Sequence, residues 1–329
     1  MNPKVPLSVL IPVRDDADNL GRCLGAISGW ADEIVVVDSH STDGTAMIAE
    51  YYGAKVVQFD YRGGWPKKRQ ATLDTFPFRN EWILLLDADE VLLDPIKAEI
   101  AAAIGQNRFD GFWLKLEIYF LGRQLRHGDT QFWKVALFRR GKGHYEKRLE
   151  SQDQSMSDIE VHEHVVINGV VGRLKNPVMH ENTNSLERYI QKHNEYSNWE
   201  VKVFLEGRND ELPPSLWGVQ AQRRRWLKHA LLRFPGSPVL LFLYKYFLGL
   251  GFLDGIPGLY YCCFQAVHVF HIKAKLFETE RQIVLARLEE KTVGTRPDRL
   301  SQTPDSQKAT RSNASVLEQF VRPEADPPN

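Results

Sequence analysis

At 329 residues the chain has room for one large domain with appendages or for two domains, and with 43% apolar against 26% charged residues it can build a substantial core. Lys plus Arg and Asp plus Glu both number 42, so no global field marks a nucleic-acid partner and any electrostatic preference must be local. The three cysteines, Cys23 and the neighbours Cys262 and Cys263, have neither C-x-x-C nor metal-ligand spacing, which reads as a reducing compartment, and the start of the chain carries no apolar run that would suggest a signal peptide.

Residues 7–13 are an apolar run that predicts a short buried strand, and Arg14, Asp15 and Asp16 open a polar turn before Leu20, Leu24 and Ile27 at helical spacing. A second β-branched run, 33–38, closes on Asp38. The loop 39–45 follows, with Asp43 placed to cap a helix at 46–52 and Gly44 easing the turn. A third strand is expected at 55–59, and the basic run Lys67, Lys68 and Arg69 then leads through a helix to residues 82–86. Strands alternating with short helices imply an α/β fold with a doubly wound, mainly parallel sheet and right-handed crossovers.

Trp82, Ile83, Leu84, Leu85 and Leu86 form a run suited to a strand covered on both faces, and it ends abruptly in Asp87, Asp89 and Glu90. A dry core tolerates no free charge, so these carboxylates belong at the strand's carboxyl end, where open α/β sheets bind ligands. Asp87 and Asp89 point the same way on extended chain. Like charges held that close repel unless a cation lies between them, and Mg²⁺ or Mn²⁺ bridging a phosphorylated substrate satisfies that demand. A helix N-terminus opening at the carboxylates is the alternative. Three strands thus deliver Asp15 or Asp16, Asp38, and Asp87 with Asp89 to one edge. No glycine lies between Leu7 and Leu20, which excludes a P-loop or a G-x-G-x-x-G turn after the first strand.

Residues 109–120 and 131–138 read as strands around a polar loop, and Trp113, Phe132, Trp133 and Tyr145 supply rings that suit either a sugar's C–H face or the core. In 160–164, His162 and His164 point away from Glu163 on extended chain. A zinc site there would need His180 to join them by folding. Asn184 and Glu187 make a capping pattern for a helix whose apolar residues include Tyr189, Tyr196, Trp199 and Val203. Arg223, Arg224, Arg225 and Lys228 precede two apolar stretches, 238–253 and 256–270, each too short to span a bilayer and interrupted by Lys245 and Asp254. With Lys273 and Lys275 beyond them, these stretches are expected to lie in the interface of an anionic membrane; a buried hairpin or a dimer surface is the alternative. Polar residues dominate from about 291 onward, and disorder is expected there.

The segments LIPVRDD, VVVDSHSTDGT and LLLDADE, in this order over the first ninety residues, resemble the inverting family 2 glycosyltransferases of the GT-A fold. VHEHV, HENTNSLERYIQKHNEYS and GFLDGIPGL resemble the branch containing lipopolysaccharide core glucosyltransferases and related bacterial surface-polysaccharide enzymes. These readings divide the chain into a GT-A domain at 1–205, with a nucleotide-sugar half at 1–95 and an acceptor half at 96–205, a helical membrane-associating region at 206–285, and a tail at 286–329. The resemblance implies that Pro12, Arg14 and Asp15 line the nucleotide pocket, that Asp38 accepts from the uracil ring with Asp43 in the loop beside it, and that Lys68 faces the nucleotide. It places Asp87 near ribose and metal and makes Asp89 the principal metal ligand. Family members often carry Asn before the first acidic residue, whereas this chain has Val13, Arg14, Asp15 and Asp16, so both aspartates stay open for that contact. Inversion by direct displacement needs a base near the acceptor, and Glu163 holds the position that resembles the family's motif; Asp153, Asp158 and Glu160 are lesser candidates.

The implied function is metal-dependent transfer of a hexose, with Mg²⁺ or Mn²⁺, from a UDP-sugar to a lipid-linked saccharide such as lipopolysaccharide core. The work would be done in the cytoplasm on the inner membrane's anionic surface. Transfer to polyprenyl phosphate by the same fold and a catalytically inactive nucleotide-sugar-binding or polysaccharide-binding scaffold are the alternatives.

Overall fold

The structure, a computed structural model, describes residues 3–149, 158, 160, 163–181, 185–206 and 213–294. Asp153, His162, the Asn184 cap and the tail beyond residue 294 lie outside the described residues. The chain forms two compact units, 1–279 and 280–329. In the second, the described residues 280–294 are helical.

The first unit opens with β1 (Val5–Val13), α1 (Ala17–Ile27), β2 (Ala31–Asp38), α2 (Thr45–Tyr51), β3 (Lys55–Gln58), α3 (Lys68–Thr75), β4 (Trp82–Leu85), β5 (Glu90–Val91) and α4 (Asp94–Ile104). It continues with β6 (Gly111–Phe120), β7 (Arg123–Gln124), β8 (Phe132–Arg139), β9 (Gly143–Tyr145), β10 (Val165–Ile167) and β11 (Val171–Glu181). The main sheet has the order β3-β2-β1-β4-β8-β6-β11-β5. β3, β2, β1 and β4 pair in parallel, and so do β6 and β11. Along this path only β8 and β5 run against the rest, which gives the mainly parallel α/β sheet that the strand–helix alternation implied.

Burial explains the apolar runs. β4 lies between β1 and β8, and all four of its residues are buried. On α1, Leu20, Cys23, Leu24 and Ile27 recur at helical spacing and are fully buried against the sheet. Each such Leu or Ile contributes roughly 1.5–3 kcal/mol relative to exposure.

Among the described residues four α-helices follow the sheet: α5 (Leu186–Glu206), α6 (Gln220–Arg233), α7 (Ser237–Leu243) and α8 (Gly255–Gly294). Val201 of α5 packs with Leu232 of α6 and with Ile272 and Leu276 of α8. Lys275 fastens α8 to α5 by donating to Asn194 O at 3.0 Å, Ser197 Oγ at 2.7 Å and Asn198 Oδ1 at 2.5 Å.

The two charges that interrupt the apolar stretches turn inward. Asp254, 3% exposed, accepts the Arg126 and His127 backbone N–H groups at 3.0 and 2.9 Å, and Lys245, 6% exposed, donates to Gly128 O at 3.2 Å. Both therefore hold the loop between β7 and β8. With the charges turned in, Val239, Phe247, Leu248, Ile256 and Phe270 are left exposed. Among the described residues no single helix is long and apolar enough to cross a membrane.

Candidate active site

β2, β1 and β4 are parallel neighbours, so the chain leaves all three at one edge of the sheet. A cavity of about 1050 Å³ lies there, with Pro12, Asp16, Asp87 and Asp89 on the sheet side.

The loops after β1 and β2 are braced by their own carboxylates. Asp15 adopts φ 50°, a left-handed conformation that Asp tolerates better than most residues, and accepts the Thr42 N–H at 2.8 Å. Its own N–H donates to Ser41 Oγ at 2.8 Å. Asp38 is 1% exposed and accepts from Ser41 N–H at 3.1 Å and from the Gln58 amide at 3.2 Å. Asp43 accepts from the Ala17 and Thr45 N–H groups, each at 3.1 Å. The helix cap falls one residue later than the sequence suggested, at Gly44 (φ 87°). Of the two candidate acids after β1, Asp16 lines the cavity, 3.3 Å from Lys192 of α5, while Asp15 is spent on the neighbouring loop. Arg14 joins this brace through its carbonyl, which accepts from Arg188 at 3.0 Å.

Asp87 and Asp89 share the cavity but not their partners. Asp87 is gripped by Arg69 and by Lys134 at 3.0 Å, and Lys134 reaches Glu90 at 2.6 Å. Asp89 faces His180 at 3.5 Å. In this cluster Asp87, Asp89 and Glu90 balance Arg69, Lys134 and His180 only when the imidazole carries a proton. Burial alone would depress His180, but Asp89, Glu90 and Asp87 outweigh it and push the imidazole up to about 9. Burial, reinforced by Asp87 and Glu90, raises Asp89 in spite of His180. Asp87 goes the other way: despite burial, Arg69 and Lys134 hold its carboxyl well below the usual range.

Among the described residues no three His, Cys, Asp or Glu side chains form a group that could hold a metal by themselves. The residues fit a divalent ion that brings phosphate ligands with it. Asp89 and His180 line the cavity, the buried His180 Nδ1 makes no hydrogen bond, and Mg²⁺ characteristically takes one or two protein carboxylates plus substrate phosphates. Asp87, assigned to the metal alongside Asp89, is already neutralised by protein cations.

The basic run before β4 is buried: Lys67 is 1%, Lys68 0% and Arg69 7% exposed. Each of the three meets the segment carrying Glu163. Lys67 Nζ lies 3.3 Å from Glu163, and Lys68 Nζ lies 3.0 Å from Asp158 and donates to Val13 O at 2.6 Å. Arg69 donates to Glu160 O at 2.5 Å. The Glu160 carboxylate accepts the first-turn N–H groups of Arg69 and Gln70 at 3.2 and 2.9 Å, as a capping acid does at a helix N-terminus. Lys68, expected to face the nucleotide, is thus turned onto the β1 end and Asp158, and Arg69 is the member of the run that lines the cavity. Glu163 also lines it.

Residues 8–166 match the family described as Glycosyl transferase family 2. A protein of Rickettsia bellii named "Uncharacterized glycosyltransferase" is 30% identical over 209 residues, which are 61% of this chain and 68% of that protein. The chain belongs to glycosyl transferase family 2. This family 2 glycosyltransferase is also 29% identical over 287 residues to the lipopolysaccharide core biosynthesis glycosyltransferase LpsC of Rhizobium meliloti, covering 84% of the chain and 94% of LpsC. Among solved structures, the mannosyltransferase PcManGT from Pyrobaculum calidifontis, in complex with GDP-Man and Mn²⁺, aligns with a TM-score of 0.42 at 15% identity over 84% of this chain and 88% of that one. TarS 1-349 of S. aureus aligns with a TM-score of 0.38 at 18% identity over 85% of this chain and 92% of its own.

In the family 2 enzyme the cavity's far wall comes from β6, β8, β9, α5 and α8. Trp113, Phe132, Trp133 and Tyr145 all line it, joined by Tyr189 and Tyr261. Sequence reasoning missed Lys134 altogether, since a single lysine in a strand gives no signal. It read His180 as a candidate for zinc and, at the head of the segment HENTNSLERYIQKHNEYS that carries the family resemblance, as a candidate border of the diphosphate. His164, the described histidine of the proposed zinc motif, sits by its backbone against Glu146, accepting from Glu146 N–H at 3.0 Å and donating to its carboxylate at 2.9 Å. Arg69 had a signal, the third place in a basic run, but its partner was not readable.

The His180 imidazole should titrate near pH 9 in metal-free, donor-free protein followed by NMR. Because the folded value exceeds the unfolded one, its stabilising effect is complete below pH about 6.5 and is lost as pH rises through 9. Titration near 6.5 would show that the three carboxylates do not act on it.

Proposed function

We propose that the enzyme transfers a hexose from a UDP-sugar, with inversion, to a lipid-linked saccharide such as lipopolysaccharide core. The observation that carries this reading is that one cavity is lined by Asp89 and His180, by Glu163, and by an aromatic wall. Asp89 would hold Mg²⁺ or Mn²⁺, joined by His180 only once the imidazole has given up its proton to solvent, and the ion when bound supplies charge compensation for the diphosphate. Pro12 and Asp16 border the nucleoside, while Asp15, Asp38, Asp43 and Lys68 act by fixing the loops beneath it. Arg69 and Lys134 keep Asp87 neutralised beside the leaving group. Glu163 takes the acceptor hydroxyl's proton as that oxygen bonds to the anomeric carbon, and the bond to diphosphate breaks with its electron pair leaving on the diphosphate. The likeness to LpsC supports a surface-polysaccharide acceptor. The exposed Phe247, Leu248, Ile256 and Phe270 support seating on the cytoplasmic face of the inner membrane, where such an acceptor is presented.

Glu163→Gln keeps size and hydrogen bonding but removes the base, so turnover should fall about a hundredfold or more with UDP-sugar affinity by calorimetry nearly unchanged. Unaltered rate and affinity together would dismiss Glu163. In vesicle sedimentation the protein should bind anionic vesicles, and Phe247→Asp with Leu248→Asp should release it. High salt should weaken the native protein only in part, because apolar insertion is not screened. No binding by the native chain at low salt would overturn the membrane reading.

A further inference from the structure

We propose that Lys67 is a positioning residue for Glu163, holding the base's carboxylate ionised and fixed at the cavity wall; this rests on the reading of Glu163 as the base. The two side chains lie 3.3 Å apart at 1% and 0% exposure. A lysine taken so completely out of water is costly unless it is paired, so its presence behind a buried carboxylate asks for a reason. Glu163 lines the cavity while Lys67 does not, which puts the ammonium behind the base rather than in the path of the acceptor.

The backbone of Lys67 is clamped. It is the extended residue before α3, and the next two residues are tied to Val13, Asp158 and Glu160. Its ammonium lies 5.5 Å from the Trp199 ring centroid, and Trp199, from α5, lines the cavity. Among the described residues, Glu160 from its own segment acts electrostatically on the base, and Arg148 stands over the same Trp199 ring at 5.3 Å.

The consequence for the reaction is specific. Burial favours the protonated acid, which cannot accept the acceptor's proton. A fixed cation opposes that tendency and leaves the carboxylate ready at working pH. Without it less of the base should be ionised on the acid side of the profile, and activity should return as pH rises.

The test compares pH profiles of kcat for the native protein, Lys67→Met and Lys67→Arg, with donor affinity by calorimetry. The expected result for Lys67→Met is an acid limb displaced upward by about one pH unit or more, unchanged donor affinity, and recovery at high pH. Lys67→Arg should keep the native limb. A Lys67→Met limb that stays in place, or a loss of kcat equal at every pH, overturns the proposal. If Glu163→Gln leaves transfer unchanged, the base reading has failed instead; an inactive Glu163→Gln with a native profile in Lys67→Met sinks only the positioning role. Should Lys67→Met not fold, isotope-edited infrared spectroscopy of the native protein against Glu163→Gln decides it: an ionised Glu163 at pH 7 is expected, and a protonated one refutes the role.

Discussion

Arg69 joins the two ends of the site. Its guanidinium grips Asp87 at the end of the central strand and donates to Glu160 O in the segment that carries Glu163. A buried guanidinium demands such partners, because removing any one of them leaves an uncompensated charge out of water. The same demand is repeated at Lys67 and Lys68, so three consecutive cations each meet the one acidic segment. Glu160 completes the interlock by capping α3. The helix start, the carboxylate edge and the proposed base are therefore fixed by one set of charges.

This arrangement makes the two aspartates of the D-x-D run unequal. Asp87 has its cations in the protein, whereas Asp89 has His180, whose proton completes the balance. A cation meeting Asp89 would therefore have to displace the His180 proton. At the other end of the cavity the helices α5 and α8, locked by Lys275, close an aromatic wall over β6. The inward turn of Lys245 and Asp254 serves both sides. It holds the loop after β7 against the domain and leaves an apolar outer face.

What the sequence made legible was what depends on local pattern. The buried runs at β1, β2 and β4 are continuous, their closing acids cannot be dry, and the strand–helix alternation fixes a mainly parallel sheet. The family motifs fall on those same positions. Strand order beyond β4 was not readable, because the place of β8 between β4 and β6 is set by long-range pairing rather than by any property of its residues. The basic run was ambiguous for a related reason: Lys67, Lys68 and Arg69 read equally well as a solvated helix end until their partners, about ninety residues on, are brought to them. Asp15, Asp38 and Asp43 show the converse. They stand at the expected edge, yet their oxygens serve the loops they brace.

The central claim, that the Arg69–Asp87 pair couples the base segment to the carboxylate edge, is tested most directly by a double-mutant cycle. Arg69→Met, Asp87→Asn and the double variant would be compared with the native protein by urea unfolding without metal or donor. The account predicts a favourable coupling on the order of 1–3 kcal/mol, as for groups in one buried charge network. Effects that add to within about 0.3 kcal/mol would contradict it.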